Sequence, residues 1–453
     1  MCLSQVHAAI NKQTAEGIKI IKRLINQRST STDACGIREC ALLLKNIMSG
    51  LGIKAYLIET EGNPVVYGEV LSNEPDAPTL VLYNHYDVQP IGAETDWTTP
   101  PFSATEKDGR IYGRGAGDNK GQLAANLFGV SEYLRVNGQV PVNIKFIIEG
   151  EEEIGCPSFK RFLKNNKDLL KGDIVIICDS SIHSSGAPYM IYGVRGSLKL
   201  SLRSVTANTD HHSGNKGGVI PEAAWELVQV LASMYDKNYN VTIDGFYDGI
   251  IEPNNKELQW IDSIPYDPDE LTAAYELAKP LSLSRREYYY RLMFRPTLSI
   301  LGIKSGLVQN GGIPGAIPGS AQAILNIRFP YPQTVDHLFR AVEKHVKNIN
   351  PGIEVIFHSS SPAARTKTDL PILNTIESAL ENAFGKKVIH LPSMGASWAS
   401  FCLWEQVMNM PAVIIPYANI DENNHSPNEN ISINCFITGA HAIAEIIYAL
   451  GNA

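Results

Sequence analysis

The chain contains no C-x-x-C pair, and its seven cysteines, at positions 2, 35, 40, 156, 178, 402 and 435, are odd in number. That pattern argues against both a disulfide framework and a cysteine-held structural zinc; it predicts reduced, mostly buried thiols. Any metal would then be held by carboxylates and imidazoles. Basic runs are also missing, and the formal net charge is -8, which speaks against a nucleic-acid partner. The start, Met1-Cys2-Leu3-Ser4-Gln5-Val6-His7, lacks a basic stretch leading into an apolar one. No apolar run reads as approaching a membrane span, so the expectation is a cytoplasmic protein with no membrane partner. Internal repeats and low-complexity tracts are absent as well. The glycines between Gly113 and Gly121 fit neither G-x-G-x-x-G after a strand nor a P-loop ending in Gly-Lys-Ser/Thr, so they are no phosphate cradle.

What is present begins with length. A chain of 453 residues, 44% hydrophobic and 19% charged, is too long for one core and ordinary in composition. It predicts two domains or one domain with a large insertion. The most informative stretch follows the apolar run Thr79-Leu80-Val81-Leu82, which reads as a short buried strand. It closes on His85-Tyr86-Asp87. Residues i and i+2 of a strand share a face, so His85 and Asp87 would leave the sheet at one spot.

Later stretches repeat the arrangement. The apolar strand 142–148 runs into Glu149-Gly150-Glu151-Glu152-Glu153, and 173–178 ends at Asp179. Acids concentrated where buried strands end are costly without a cation. The glycine-rich loop would let the backbone turn tightly and aim Asp118 inward ahead of a helix over 121–136. His425 sits in the polar loop Asp421-Glu422-Asn423-Asn424-His425. His337, His345 and His441 instead lie within helical patterns.

Organisation along the chain follows from texture. Periodicity predicts a helix within 3–28, a second from the cap Asp33 to about Gly50, and strands at 53–58 and 65–70. From Gly196 the pattern becomes that of an antiparallel α+β unit. Its strands fall at 197–205, 297–303, 321–329 and 354–358, and its helices at 220–235 and 334–348. A Gly/Pro loop spans Gly311–Gly319, and 240–295 reads as an irregular connection. The domains are therefore 1–195, an insertion over 196–362, and a return to the first domain over 363–453.

The motifs together resemble the co-catalytic metallopeptidase family that includes carnosinase, nonspecific dipeptidase, glutamate carboxypeptidase, aminoacylase and succinyl-diaminopimelate desuccinylase. The matching pieces are His85-Tyr86-Asp87-Val88-Gln89-Pro90, Gly113-Arg114-Gly115 through Asp118 to Gly121, and Glu152-Glu153-Ile154-Gly155. Further on come Asp179, Asp210 to Gly214, Ile317-Pro318 through Arg328, and His425-Ser426-Pro427-Asn428-Glu429. Val88-Gln89-Pro90 and Tyr192-Gly193-Val194-Arg195-Gly196 point to the dipeptidase branch.

The resemblance implies an α/β fold: a mixed-sheet catalytic domain carrying an inserted ferredoxin-like α+β lid that also dimerises. It implies two divalent ions per chain, zinc first and manganese or cobalt as alternatives. His85 and Asp179 would hold one, Glu153 and His425 the other, and Asp118 would bridge. Asp87 would orient His85, and Glu152 would be the general base toward a water bridging the ions. His212 would stabilise the oxyanion from the other subunit of a homodimer. Arg328 would take the substrate's terminal carboxylate with Ser397 nearby, and the peptide bond after Asp118 would be cis. Cys156, Gly315 and Ser393-Met394-Gly395-Ala396-Ser397 depart from the family's pattern. They leave hydrolysis in place and blur the substrate. Three readings follow: a dipeptidase or short-peptide carboxypeptidase, an N-acyl amino acid amidohydrolase, and a non-catalytic binding protein on the same fold.

Overall fold

The computed structural model of the chain describes residues 1–32, 36–238, 240–306 and 315–453. The predicted cap Asp33, Cys35 and the first part of the Gly311–Gly319 loop lie outside them. Two compact units form. The first comprises Met1–Tyr192, Thr366–Pro392 and Ala399–Ala453; the second comprises Gly193–Arg365 and Ser393–Trp398. Ser393–Trp398 groups with the second unit because the Arg195 and Met394 amides bond to Ala396 and Gly193 carbonyls, a backbone exchange with no sequence signal.

The first unit is built on an eight-stranded sheet. Its order is Lys54–Ile58, Val65–Val70, Asn143–Glu149, Thr79–His85, Ile174–Ile177, Ala412–Ile414, Tyr189–Ile191 and Ile389–Leu391. Asn143–Glu149, Thr79–His85, Ile174–Ile177 and Ala412–Ile414 run parallel side by side. Covered on both faces, such strands read as continuous apolar runs; Ile174–Ile177 is buried at every position. Their C-terminal ends therefore meet along one edge, the usual place for a site in an α/β sheet.

Helix Lys120–Asn137 is buried around its whole first three turns, because it lies between the sheet strand Thr79–His85 and helix Ile433–Leu450. Gly138, at φ 72°, ends it with its N–H on Leu134. The outer helix corrects one expectation. Ile433–Leu450 has the length and, with a mean hydropathy of 1.5, the composition of a membrane span. Its apolar residues have another use: Phe436, Ala440, Ile443, Ala444 and Ile447 are fully buried in this unit. At the N-terminus the single predicted helix is two, Leu3–Lys12 and Thr14–Asn26, parted at Gln13.

The second unit carries a four-stranded antiparallel sheet in the order Thr297–Ser305, Ser320–Phe329, Gly196–Val205, Glu354–Ser361. Helices Ala223–Ser233 and Val335–Ile349 complete a β-α-β-β-α-β, ferredoxin-like chain order. Leu198, Leu200 and Leu202 alternate inward against Leu227, Leu338 and Val342. The segment 240–295 is less irregular than its sequence predicts. It holds helices Asn255–Ser263, Pro268–Ala274 and Arg285–Phe294, begun by side-chain caps from Asn254, Asp267 and Ser284. Each buries two apolar residues at most, so no apolar period marks them.

The stacked pair Phe128–Phe436, centroids 5.7 Å apart, joins the two buried helices. Phe128→Ala should cost ~3–5 kcal/mol, the usual loss for a fully buried aromatic. Chemical denaturation followed by far-UV circular dichroism checks this through the shifted midpoint.

Candidate metal centre

Five loops at the parallel edge deliver the acidic and imidazole side chains. His85 ends its strand, and Asp179 lies two residues past Ile177. Glu152 and Glu153 open the 3-10 turn Glu152–Ile154 just after Asn143–Glu149. Asp118 lies just before helix Lys120–Asn137, and its bond to Asn119 is cis. His425 stands in the loop after Ala412–Ile414 at φ 57°.

These residues form two overlapping clusters, His85–Asp118–Asp179 and Asp118–Glu153–His425, in each of which the ligand atoms lie within 4.8 Å of one another. Asp118 belongs to both. Its Oδ1 is 2.9 Å from His85 Nε2 and its Oδ2 is 3.0 Å from His425 Nε2. His85 Nε2 is also 3.3 Å from Asp179 Oδ2, and His425 Nε2 is 3.2 Å from Glu153 Oε2. Both imidazoles thus present Nε2 to carboxylate oxygens. A nitrogen/oxygen set of this kind, shared through one carboxylate, fits a pair of divalent ions.

The electrostatics agree with that fit. Burial pushes Glu152 well above the usual carboxylate range, and Asp179, Glu153 and Asp118 add to the rise against His85. Glu153 and Asp179 are raised, first by burial and then by Asp118. Asp118 moves the other way: burial opposes its ionisation, but hydrogen bonds from His425 and His85 hold it low. His85 is raised because carboxylates outweigh its burial, and hydrogen bonds to Asp118 and Glu153 lift His425 to about 10. Acids competing for protons and imidazoles retaining them mark a site short of positive charge.

Other side chains fix the set. Asp87 Oδ1 lies 3.3 Å from His85 Nδ1. The same carboxylate accepts the Glu152 and Glu153 amides at 3.3 and 3.1 Å, so one acid ties the His85 strand end to the Glu152–Glu153 turn. Gln89 Nε2 donates to Glu153 Oε2 at 2.9 Å. Lys120 is buried, and its Nζ donates to Leu24 and Gln27 carbonyls, anchoring the Asp118 loop. Beneath lies an amide network that sequence reading misses. Asn84 and Asn119 both donate to the Cys178 carbonyl, Asn126 donates to Asn84, and Gln122 donates to Gly117. Buried Glu422 and Glu149 are further acids missed, Glu149 pushed up by burial to about 8. Their signal was only the acidic loops in which they sit.

The first unit thus brings together the five candidate ligands, Asp87 and Glu152. His212, Arg328 and Ser397 belong to the second unit. Arg328 donates to Ser397 Oγ at 2.6 Å. Arg195 is buried nearby, bonded to Leu292 O and Thr297 Oγ1, with its Nε unpartnered. His212 is exposed and accepts the Gly214 amide on Nδ1 at 3.1 Å.

Comparison with known proteins gives this geometry its relatives. The human Beta-Ala-His dipeptidase is 30% identical over 393 residues, 84% of this chain and 76% of that one. The Cys-Gly metallodipeptidase dug1 of Schizosaccharomyces pombe is 25% identical over 477 residues, 100% of this chain and 99% of its own. Among solved structures, the M20 family metallo-carboxypeptidase Sso-CP2 from Sulfolobus solfataricus superposes with a TM-score of 0.84 at 28% identity, covering 97% of this chain and 100% of that one. Residues 81–449, a span containing all five candidate ligands, match Peptidase family M20/M25/M40. The chain belongs to that family of metallopeptidases.

Proposed function

We propose that the chain hydrolyses the peptide bond of dipeptides or short peptides that carry a free C-terminal carboxylate. The observation behind this reading is the double cluster shared through Asp118, whose two oxygens face two different imidazoles. His85, Asp118 and Asp179 would hold one divalent ion, and Asp118, Glu153 and His425 the other. Zinc suits the set best, with manganese or cobalt able to take it. Such ions supply Lewis acidity toward the scissile carbonyl and lower the pKa of water.

The remaining work falls to side chains. Asp87 holds His85 and the Glu152–Glu153 turn. Glu152, half-buried beside Glu153, takes a proton on its carboxylate from the attacking water and passes it to the leaving amine. Arg328, set by Ser397, binds the terminal carboxylate through its guanidinium fork. His212 accepts on Nδ1, which leaves the proton on Nε2 as a donor to the oxyanion. In this reading it works in trans, in a homodimer joined through the second units. Strand Thr297–Ser305 supports that pairing. Among the described residues it is an edge strand, bonded only to Ser320–Phe329, and it exposes Ile300, Leu301 and Ile303. Free thiols at Cys40, Cys156, Cys178, Cys402 and Cys435 support a reducing, cytoplasmic setting.

Four outcomes test the reading. Glu152→Gln should lower kcat by ~10²–10⁴, the usual contribution of general-base catalysis, while elemental analysis still finds two ions per chain. An unchanged kcat would make Glu152 an ordinary acid of the turn. Dipeptides should be cleaved in preference to N-acetyl amino acids, and Arg328→Met should raise KM for a free dipeptide far more than for its C-terminal amide. Equal effects on both substrates would remove Arg328 from carboxylate binding. Finally, His212→Ala chains mixed with Glu152→Gln chains should regain up to about half of the wild-type activity per dimer, since one of two symmetric sites is then intact. Heterodimers that stay inactive would confine His212 to its own chain.

A further inference from the structure

The motifs at Gly113–Asp118 and His425–Glu429 stand about three hundred residues apart, and one carboxylate joins them. Glu429 is fully buried. Its Oε2 accepts Arg114 Nη1 at 2.7 Å and the Gly115 amide at 3.0 Å. Its Oε1 accepts the amides of Gly117 and Asp118, both at 3.0 Å. The Glu429 carbonyl also accepts the Gly113 amide at 2.9 Å. Both carboxylate oxygens are thus used twice, which fills the capacity of the group. The loop closes on it as backbone N–H groups close on an anion in a nest.

Glycine makes the wrap possible. Gly115 sits at φ +87°, where a Cβ would come 2.7 Å from Val88 Cγ1, and a Cβ on Gly117 would strike Glu422. The cation is equally fixed. Arg114 is buried, donates its other terminal nitrogen to Pro90 O at 3.0 Å, and lies 5.2 Å over the Trp97 ring.

We propose that Glu429 is a positioning residue for the metal centre: its carboxylate sets Asp118 and, through the five-residue stretch it shares with His425, fixes the separation of those two ligands. The proposal rests on the ligand set proposed above. A structural ion pair with Arg114 would need one carboxylate oxygen. Here the second oxygen is spent on the Asp118 amide itself and on the residue before it. The Asp118 side chain leaves the backbone at a point held from the far side by Glu429.

Zinc affinity of the full-length chain, measured by chelator competition, tests this without reference to turnover. Glu429→Gln replaces one acceptor oxygen with an NH₂ that must face N–H donors. The folded variant should bind zinc ~10–100-fold more weakly, the usual effect of losing a group that orients a ligand. In an Asp118→Asn background the same change should add no further loss, because the ligand it positions is already gone. Wild-type affinity in Glu429→Gln, or a full additional loss in the Asp118→Asn background, would overturn the proposal. A lowered melting temperature with unchanged zinc affinity would reduce Glu429 to a structural partner of Arg114. Should Glu429→Gln not fold, Glu429→Asp keeps the charge but cannot reach all four donors, and wild-type zinc affinity in it overturns the proposal equally. Wild-type protein that binds no zinc would instead sink the ligand set, a separate result.

Discussion

Buried negative charge at the end of a parallel sheet is the constraint around which the first unit is arranged. Glu149, Asp179, Glu153, Asp118, Glu422 and Glu429 are drawn toward one edge. All but Asp118 have their pKa raised, with burial first among the causes. Carboxylates in a poorly solvated place repel one another and favour the protonated form. Arg114 is the buried arginine that answers one of them, at Glu429. Asp118, Asp179 and Glu153 face imidazoles in a set shaped for cations, Glu149 accepts from the Tyr83 hydroxyl, and Glu422 Oε2 has no hydrogen-bond partner among the described residues. A family of metallopeptidases is a natural owner of such an edge, since ions turn its electrostatic cost into ligand binding.

Parallel strands bring the ends together only coarsely. Asn143–Glu149, Thr79–His85 and Ile174–Ile177 place His85, the Glu152–Glu153 turn and Asp179 within a few residues of one line. Metal ligation needs far closer tolerances, and the buried polar groups supply them. Asp87 binds the Glu152 and Glu153 amides and flanks His85. The amides of Asn84, Asn119 and Asn126 tie three segments to the Cys178 carbonyl and to each other. Because each of these groups lies out of water, breaking one bond leaves a partner unsatisfied. The site is therefore rigid for a physical reason.

The same physics explains what the sequence discloses. Strands buried on both faces must be apolar throughout, so Thr79–His85 and Ile174–Ile177 were legible, and so were the His and acids that interrupt them. Glycine at a tight turn was legible for the same reason, and Gly115 carries the positive φ that the reading of its loop required. Asparagine and glutamine announce nothing by type, being as common in surface loops as in a buried network, and Asn84, Asn119, Gln122 and Asn126 passed unnoticed. Helices begun by capping side chains with little apolar face, as at Asn255–Ser263 and Arg285–Phe294, carry no period to detect. Glu429 was visible as part of a motif, but its role needed the fold, because its four donors lie over three hundred residues away in the chain.

The second unit presents the opposite electrostatic problem. Arg195 and Arg328 have no carboxylate partner among the described residues. Burial, and then the neighbouring Arg328, lowers Arg195 to about 10. Two guanidiniums kept close without a counter-ion are costly unless an anion joins them. Arg195 has both terminal nitrogens committed to Leu292 and Thr297, so it acts as fixed charge. Arg328 spends one nitrogen on Ser397 Oγ and is only half-buried, which leaves donors of its fork to offer. A carboxylate approaching Arg328 would meet a bidentate partner with a second positive charge behind it. A neutral amide would leave the pair uncompensated. That difference is the physical ground on which the proposed preference for peptides with a free C-terminus rests, and it would not depend on which side chain the terminal residue carries.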